Sequence, residues 1–134
     1  MRFMMIVKAS TESESGQLPT PDDLIEKNRF NEQLEKAGAL IDLNGLHPTS
    51  ESVRVEFNNS KGSIIDGPFS ETKELVAGYW IIETKSKQEA IDWALKAPFK
   101  KGQIEVRQIF ELDEFPDVPE EVRATEARMS ASLK

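Results

Sequence analysis

The chain has no cysteine and one histidine, His47, among 134 residues. Without cysteine there are no disulfides, thiolate nucleophiles, zinc–thiolate centres or iron–sulfur clusters, a balance that fits the expected cytoplasmic location. A lone histidine with scattered acids gives no paired metal-ligand spacing, so no metal is expected. Glycine-rich phosphate loops are missing too: neither Gly-x-Gly-x-x-Gly nor a P-loop ending in Gly-Lys-Ser/Thr occurs, and no Gly-x-Ser-x-Gly elbow exposes a serine. No cofactor is expected by these routes. No apolar run approaches the ~20 residues that span a bilayer, and Phe3 to Val7 is too short for a signal-peptide core, so it reads as the first strand.

What is present is ordinary for one soluble domain: 38% hydrophobic and 31% charged residues with a formal net charge of −7. That sign argues against nonspecific binding to nucleic acid or anionic membrane, because both depend on Lys and Arg neutralising phosphate. The charge is uneven. Seven acids (Glu111, Asp113, Glu114, Asp117, Glu120, Glu121, Glu126) against three bases (Arg123, Arg128, Lys134) put −4 of the −7 on residues 111–134. The expected division is a domain over residues 1–112 and an acidic, helical C-terminal tail over 113–134, with Val122, Met129 and Leu133 as a thin apolar set.

Along the domain, Arg2 to Lys8 predicts a strand and Ala9 to Leu18 a polar loop. Thr20-Pro21-Asp22-Asp23 starts a helix that runs to Ala37, with Gly38 placed to end it. Leu40 to Leu46 reads as a strand. Val53, Val55 and Phe57 alternate with Arg54 and Glu56, and Asn58-Asn59-Ser60-Lys61-Gly62 turns the chain into Ser63 to Asp66, which predicts a hairpin. Leu75 to Thr84 is a strand apolar on both parities, Ser86-x-x-Glu89 caps a helix ending before Pro98, and Ile104 to Ile109 is the last core strand. This is an α+β fold of ferredoxin-like βαββαβ order with an added hairpin, both helices lying on one sheet face. The first and fifth strands are apolar on both sides, as strands buried on both sides are. The open face therefore needs a cover, supplied by a second copy in a homodimer or by the tail.

The most informative stretch is Asp66-Gly67-Pro68-Phe69-Ser70-Glu71-Thr72-Lys73-Glu74, which sets three carboxylates and a lysine around a Gly-Pro corner with an apolar anchor. It resembles the signature of the DGPF group within the YCII-related proteins. Shorter similarities lie at Arg2 to Lys8, Ala37-Gly38-Ala39-Leu40, Asn44-Gly45-Leu46-His47-Pro48, Gly78-Tyr79-Trp80 and Ile104-Glu105-Val106-Arg107. The resemblance implies a ferredoxin-like fold that dimerises through its sheet, of the dimeric α/β-barrel type, in a group of bacterial proteins whose role is mostly unassigned, some encoded beside alternative sigma factors.

Candidate chemistry centres on a few residues. An imidazole is the side chain suited to proton transfer near neutrality, so His47 and Asp66 are the candidate acid–base pair for such chemistry on a polar substrate. The alternatives are a turn or surface histidine and an Asx-type turn at Asp66. Lys73 and Arg107 suit an anion, or else pair with neighbouring acids such as Glu71, Glu74 and Glu105. Phe69 and Trp80 are candidate apolar walls. Two functions follow: a homodimeric small-molecule-binding protein with cofactor-independent acid–base chemistry on a small polar or anionic ligand, or a noncatalytic interaction module linked to transcription regulation.

Overall fold

Residues 1–132 are described by the structure, a computed structural model; Leu133 of the tail's apolar set lies outside them. In chain order the elements are β1 (Arg2–Lys8), α1 (Thr11–Glu14), α2 (Pro21–Lys36), β2 (Leu40–Gly45), β3 (Val53–Asn58), β4 (Lys61–Asp66), β5 (Val76–Glu83), α3 (Lys87–Leu95), β6 (Ile104–Gln108) and α4 (Glu120–Ser132). The main sheet runs β2-β5-β1-β6 with every neighbouring pair antiparallel. This is the ferredoxin-like order with β3 and β4 inserted before β5 as a separate two-stranded sheet.

Local chemistry sets the boundaries. Thr20 and Asp23 bond each other's backbone N–H at 3.2 and 3.1 Å, Pro21 begins α2, and Gly38 follows its end at φ +71°. At α3 the expected reciprocal box is shifted by one residue: Ser86 Oγ accepts from Glu89 N, but the Glu89 carboxylate accepts from Lys85 N at 2.9 Å. The predicted loop Ala9–Leu18 contains the single turn α1. Ser10 and Ser13 cap each other there at 2.8 and 3.0 Å, a box built from two serines and so without the usual glutamate signal.

Cross-strand register sorts the side chains. Phe3 opposes Ile82, and Met5 opposes Trp80 and Val106, all toward the helices; there Phe30 and Leu34 of α2 and Ala90 of α3 complete the core. Each such large apolar side chain contributes about 1.5–3 kcal/mol on burial. On the other face Met4 opposes Ile81 and Arg107, and Ile6 opposes Tyr79 and Glu105. The tail helix α4 leaves Val122 and Met129 exposed. Among the described residues no helix is long and apolar enough to cross a membrane.

Just before the tail, Arg2 grips Glu111 bidentately, Nε to Oε1 at 2.7 Å and Nη2 to Oε2 at 3.0 Å. That hydrogen bonding holds the Glu111 carboxyl below its ordinary range. A carboxyl depressed in the folded state adds stability above its unfolded pKa and loses it as pH falls through the folded one. Glu111→Gln should therefore flatten the acid limb of stability, by less than ~1 kcal/mol because the pair is half exposed. Urea unfolding from neutrality to about pH 3 checks it; identical acid limbs would show that the pair contributes nothing.

Candidate functional site

The signature corner is fastened by a chain of hydrogen bonds. Gly67 N–H donates to Ser52 O at 2.9 Å, and Phe69 N–H to Thr49 Oγ1 at 3.1 Å. Thr49 in turn donates its hydroxyl to Glu14 Oε2 at 2.5 Å and its backbone N–H to Glu14 Oε1 at 3.1 Å. Ser52 Oγ donates to Thr49 O at 2.9 Å. The Gly67–Pro68 bond is cis, and Gly67 is outside the left-handed φ region. Glycine is required there by close approach: a Cβ would lie 1.8 Å from Thr49 O. Thr49 and Glu14 are the central clamps of this corner, and nothing in the sequence marks them, since Glu14 sits in a polar segment 35 residues upstream of its partner.

Beyond the corner the chain makes a 3₁₀ turn, Thr72–Glu74, in which Glu74 N–H donates to Glu71 O at 2.8 Å. The turn delivers Thr72 and Lys73 to the wall of a cleft of about 820 Å³ between the α1 segment, the first half of α2 and the loop between α3 and β6. Val7, Ala77, Pro98 and Phe99 give it apolar surface; Lys8, Lys27, Lys73, Lys100 and Lys101 give it positive charge. Glu12, Asp23 and Glu26 are its acids, so five cations face three anions in a protein of net charge −7.

Two of those acids are engaged. Glu12 accepts from Lys101 at 3.1 Å, and its carboxyl is held low by its own backbone N–H and by that lysine. Asp23 is held low by the Thr20 backbone it caps. Lys8 pairs with Glu105 at 3.4 Å, and Lys27 lies 5.5 Å over the Phe99 ring. Lys73 and Lys100 form no ion pair among the described residues. The arrangement offers two uncommitted ammonium groups over an apolar floor.

The other candidate residues stand elsewhere. Asp66 ends β4, exposed, and its carboxylate accepts no hydrogen bond among the described residues, so neither the Asx turn nor a partnership with His47 is formed. His47 Nδ1 meets Glu51 Oε2 at 3.0 Å and its side chain is 84% exposed. Phe69 is half-buried beneath the Arg54 guanidinium, 3.6 Å from its centroid. Glu71 is exposed. Trp80 is buried in the core, its Nε1–H donating to Asn31 Oδ1 at 2.8 Å. Arg107 reaches Glu105 at 2.5 Å on the open sheet face. On that face also lies a cluster that sequence reasoning missed: Tyr79 donates its hydroxyl to Asp42 Oδ2 at 3.0 Å and accepts from Asn44 Nδ2 at 2.9 Å. Pairing of β2 with β5, unreadable before register is known, assembles it.

A family model described as the YCII-related domain matches residues 1–113. An uncharacterized protein of Rhizobium meliloti (strain 1021) is 36% identical over 59 residues, 44% of this chain and 48% of that protein, so the match spans about half of the relative's length. Among solved structures, 5-chloro-2-hydroxyhydroquinone dehydrochlorinase from Burkholderia phenoliruptrix AC1100, in complex with 2,5-dihydroxybenzoquinone, is similar at a TM-score of 0.49 and 14% identity, covering 85% of this chain and 98% of that one.

Proposed function

The chain belongs to the YCII-related domain family, and from that premise we propose that it is a homodimeric small-molecule-binding protein whose ligand is a small anion held in the lysine-lined cleft. The observation that carries this reading is the local excess of five lysines over three acids, two of the lysines uncommitted, in a protein that is acidic as a whole. In a concave site with apolar walls, a carboxylate or phosphate gains more from such ammonium groups than it does at an open surface. The signature segment acts here through Lys73, which the clamped corner and the 3₁₀ turn hold at the wall. His47 and Asp66 do not line the cleft, so the function assigned to it is binding, with no proton transfer. Residues 1–112 form the binding domain and 113–134 the appended tail, and the open sheet face, with Met4, Ile6, Tyr79 and Ile81, is the dimer surface.

Calorimetric titration with inorganic phosphate and with mono- and dicarboxylates tests the cleft. At least one of these anions should bind saturably, and Lys73→Glu with Lys100→Glu should weaken it at least ~10-fold, the equivalent of about 1.4 kcal/mol. Affinity should also fall as salt rises. Binding that is insensitive to both substitutions would place the ligand elsewhere, and no binding across the panel would favour the interaction-module alternative.

A further inference from the structure

The β3–β4 hairpin belongs to neither the core nor the main sheet. Its strands bond only each other, and all twelve of their residues are exposed. Asn59 and Ser60, at φ 52° and 67°, make the tight turn that joins them. Register divides its faces sharply. Val55 opposes Ile64 and Phe57 opposes Gly62, with Val53 and its partner Asp66 on the same side at the base, while Arg54, Glu56, Lys61 and Ser63 point the other way together with Ile65. Val53, Val55, Phe57 and Ile64 are 57%, 52%, 74% and 72% exposed. A lone two-stranded ribbon is marginal in water, and gains independent stability when its apolar face packs on another layer.

We propose that this hairpin is an arm whose apolar face lies across the open sheet face of a second copy of the chain. The inference rests on the homodimer reading and specifies its geometry. The base of the arm is closed by the Gly67–Ser52 hydrogen bond and tied to its own body through Thr49, which Phe69 N–H and the Glu14 carboxylate both bond, while Arg54 of the arm stacks on Phe69. The same chain offers the matching surface, a strip of half-buried Met4, Tyr79 and Ile81 around the buried Ile6 on β1 and β5. Under a two-fold axis each arm covers the other copy's strip, so both unpartnered surfaces are satisfied at once; arm against arm would leave the strips open. Four side chains at these exposures present on the order of 300–400 Å² of apolar surface, the size at which a patch on a monomer signals an interaction site. That is about half of the ~800 Å² per partner of a stable interface, and the half-buried strip receiving the other arm adds a smaller share.

The absence of cysteine allows a direct test. Val55→Cys and Ile81→Cys chains, purified separately, mixed and treated with a short bismaleimide, should give a cross-linked dimer joining the two positions, in excess of the product either variant forms alone. Light scattering at micromolar concentration should show a wild-type dimer, and Phe57→Glu with Ile64→Glu should weaken it at least ~100-fold while leaving the circular dichroism unchanged. Stronger Val55–Val55 linkage than Val55–Ile81 linkage would overturn the arm-on-sheet arrangement. A variant dimer as tight as wild type would overturn the arm while sparing a dimer through the sheet face. A wild-type monomer would overturn both, leaving the hairpin to a different partner.

Discussion

Gly67→Ala is expected to cost about 3 kcal/mol or more of folding stability, lowering the melting temperature by roughly 10–15 °C for a chain of this size. The added methyl would stand 1.8 Å from Thr49 O and 2.8 Å from Thr49 C, and both are backbone atoms. Flexible side chains swing away from such overlaps; this carbonyl is not free to do so. Ser52 Oγ donates to it, and the Glu14 carboxylate holds the same residue by its N–H and hydroxyl. The strain must move either the corner or the clamp, and both routes break hydrogen bonds to half-buried groups. Gly45→Ala is the control, since its Cβ would meet nothing within 4 Å and its φ is not positive, so stability there should change little. Calorimetric melting of both variants decides the matter. Gly67→Ala melting with wild type would mean that the corner relaxes away from Thr49 without loss. Anion binding should weaken in parallel, because Lys73 follows the corner by only six residues.

Much of this architecture was legible in the sequence for identifiable reasons. Strict alternation at Val53, Val55 and Phe57, the Asn-Asn-Ser turn and the Thr-Pro-Asp-Asp start each encode local geometry in a few neighbouring residues, and local geometry is what periodicity reports. The doubly apolar strands announced a sheet with an uncommitted face. What stayed hidden depends on long-range register. The Glu14–Thr49–Phe69 clamp spans three segments, and the Tyr79–Asp42–Asn44 cluster exists because β2 pairs with β5. The cleft is harder still to anticipate: its lysines come from five separate places in the chain, or four if Lys100 and Lys101 count together, and a net charge of −7 masks their convergence.

Two readings of single residues turned on the same distinction. His47 and Asp66 suggested a pair because both end predicted strands, but a 3₁₀ turn at Thr49–Glu51 brings Glu51 to the imidazole first. Trp80 was a candidate wall. Its parity on β5, opposite Met5 and Leu43, sends it toward the helices, where Asn31 satisfies the indole N–H.

That placement leads to the second large effect: Phe30→Ala should cost about 3–5 kcal/mol, a sizeable part of the ~5–15 kcal/mol that holds a domain together. Phe30 is 3% exposed, and its ring lies edge-on to Trp80 at 5.3 Å and to Trp93 at 6.2 Å. Truncation loses the transferred apolar surface, opens a cavity between α2 and the sheet, and removes two aromatic contacts of about 0.5–1.5 kcal/mol each. Trp80→Phe is the informative companion. It keeps most of the packing but leaves Asn31 Oδ1 without its donor, a loss nearer 1–2 kcal/mol. The consequence reaches the cleft, because Trp80 is also edge-on to Phe99 at 6.2 Å, and Phe99 is both cleft wall and platform for Lys27. A core loosened at Phe30 should therefore weaken anion binding even well below the melting transition, whereas Trp80→Phe should leave the affinity within about two-fold, equivalent to ~0.4 kcal/mol. Denaturant unfolding and calorimetric titration of the two variants separate a wall that touches the ligand from a core residue that supports the wall; a Trp80→Phe protein of wild-type stability with lost affinity would put the indole in the site itself.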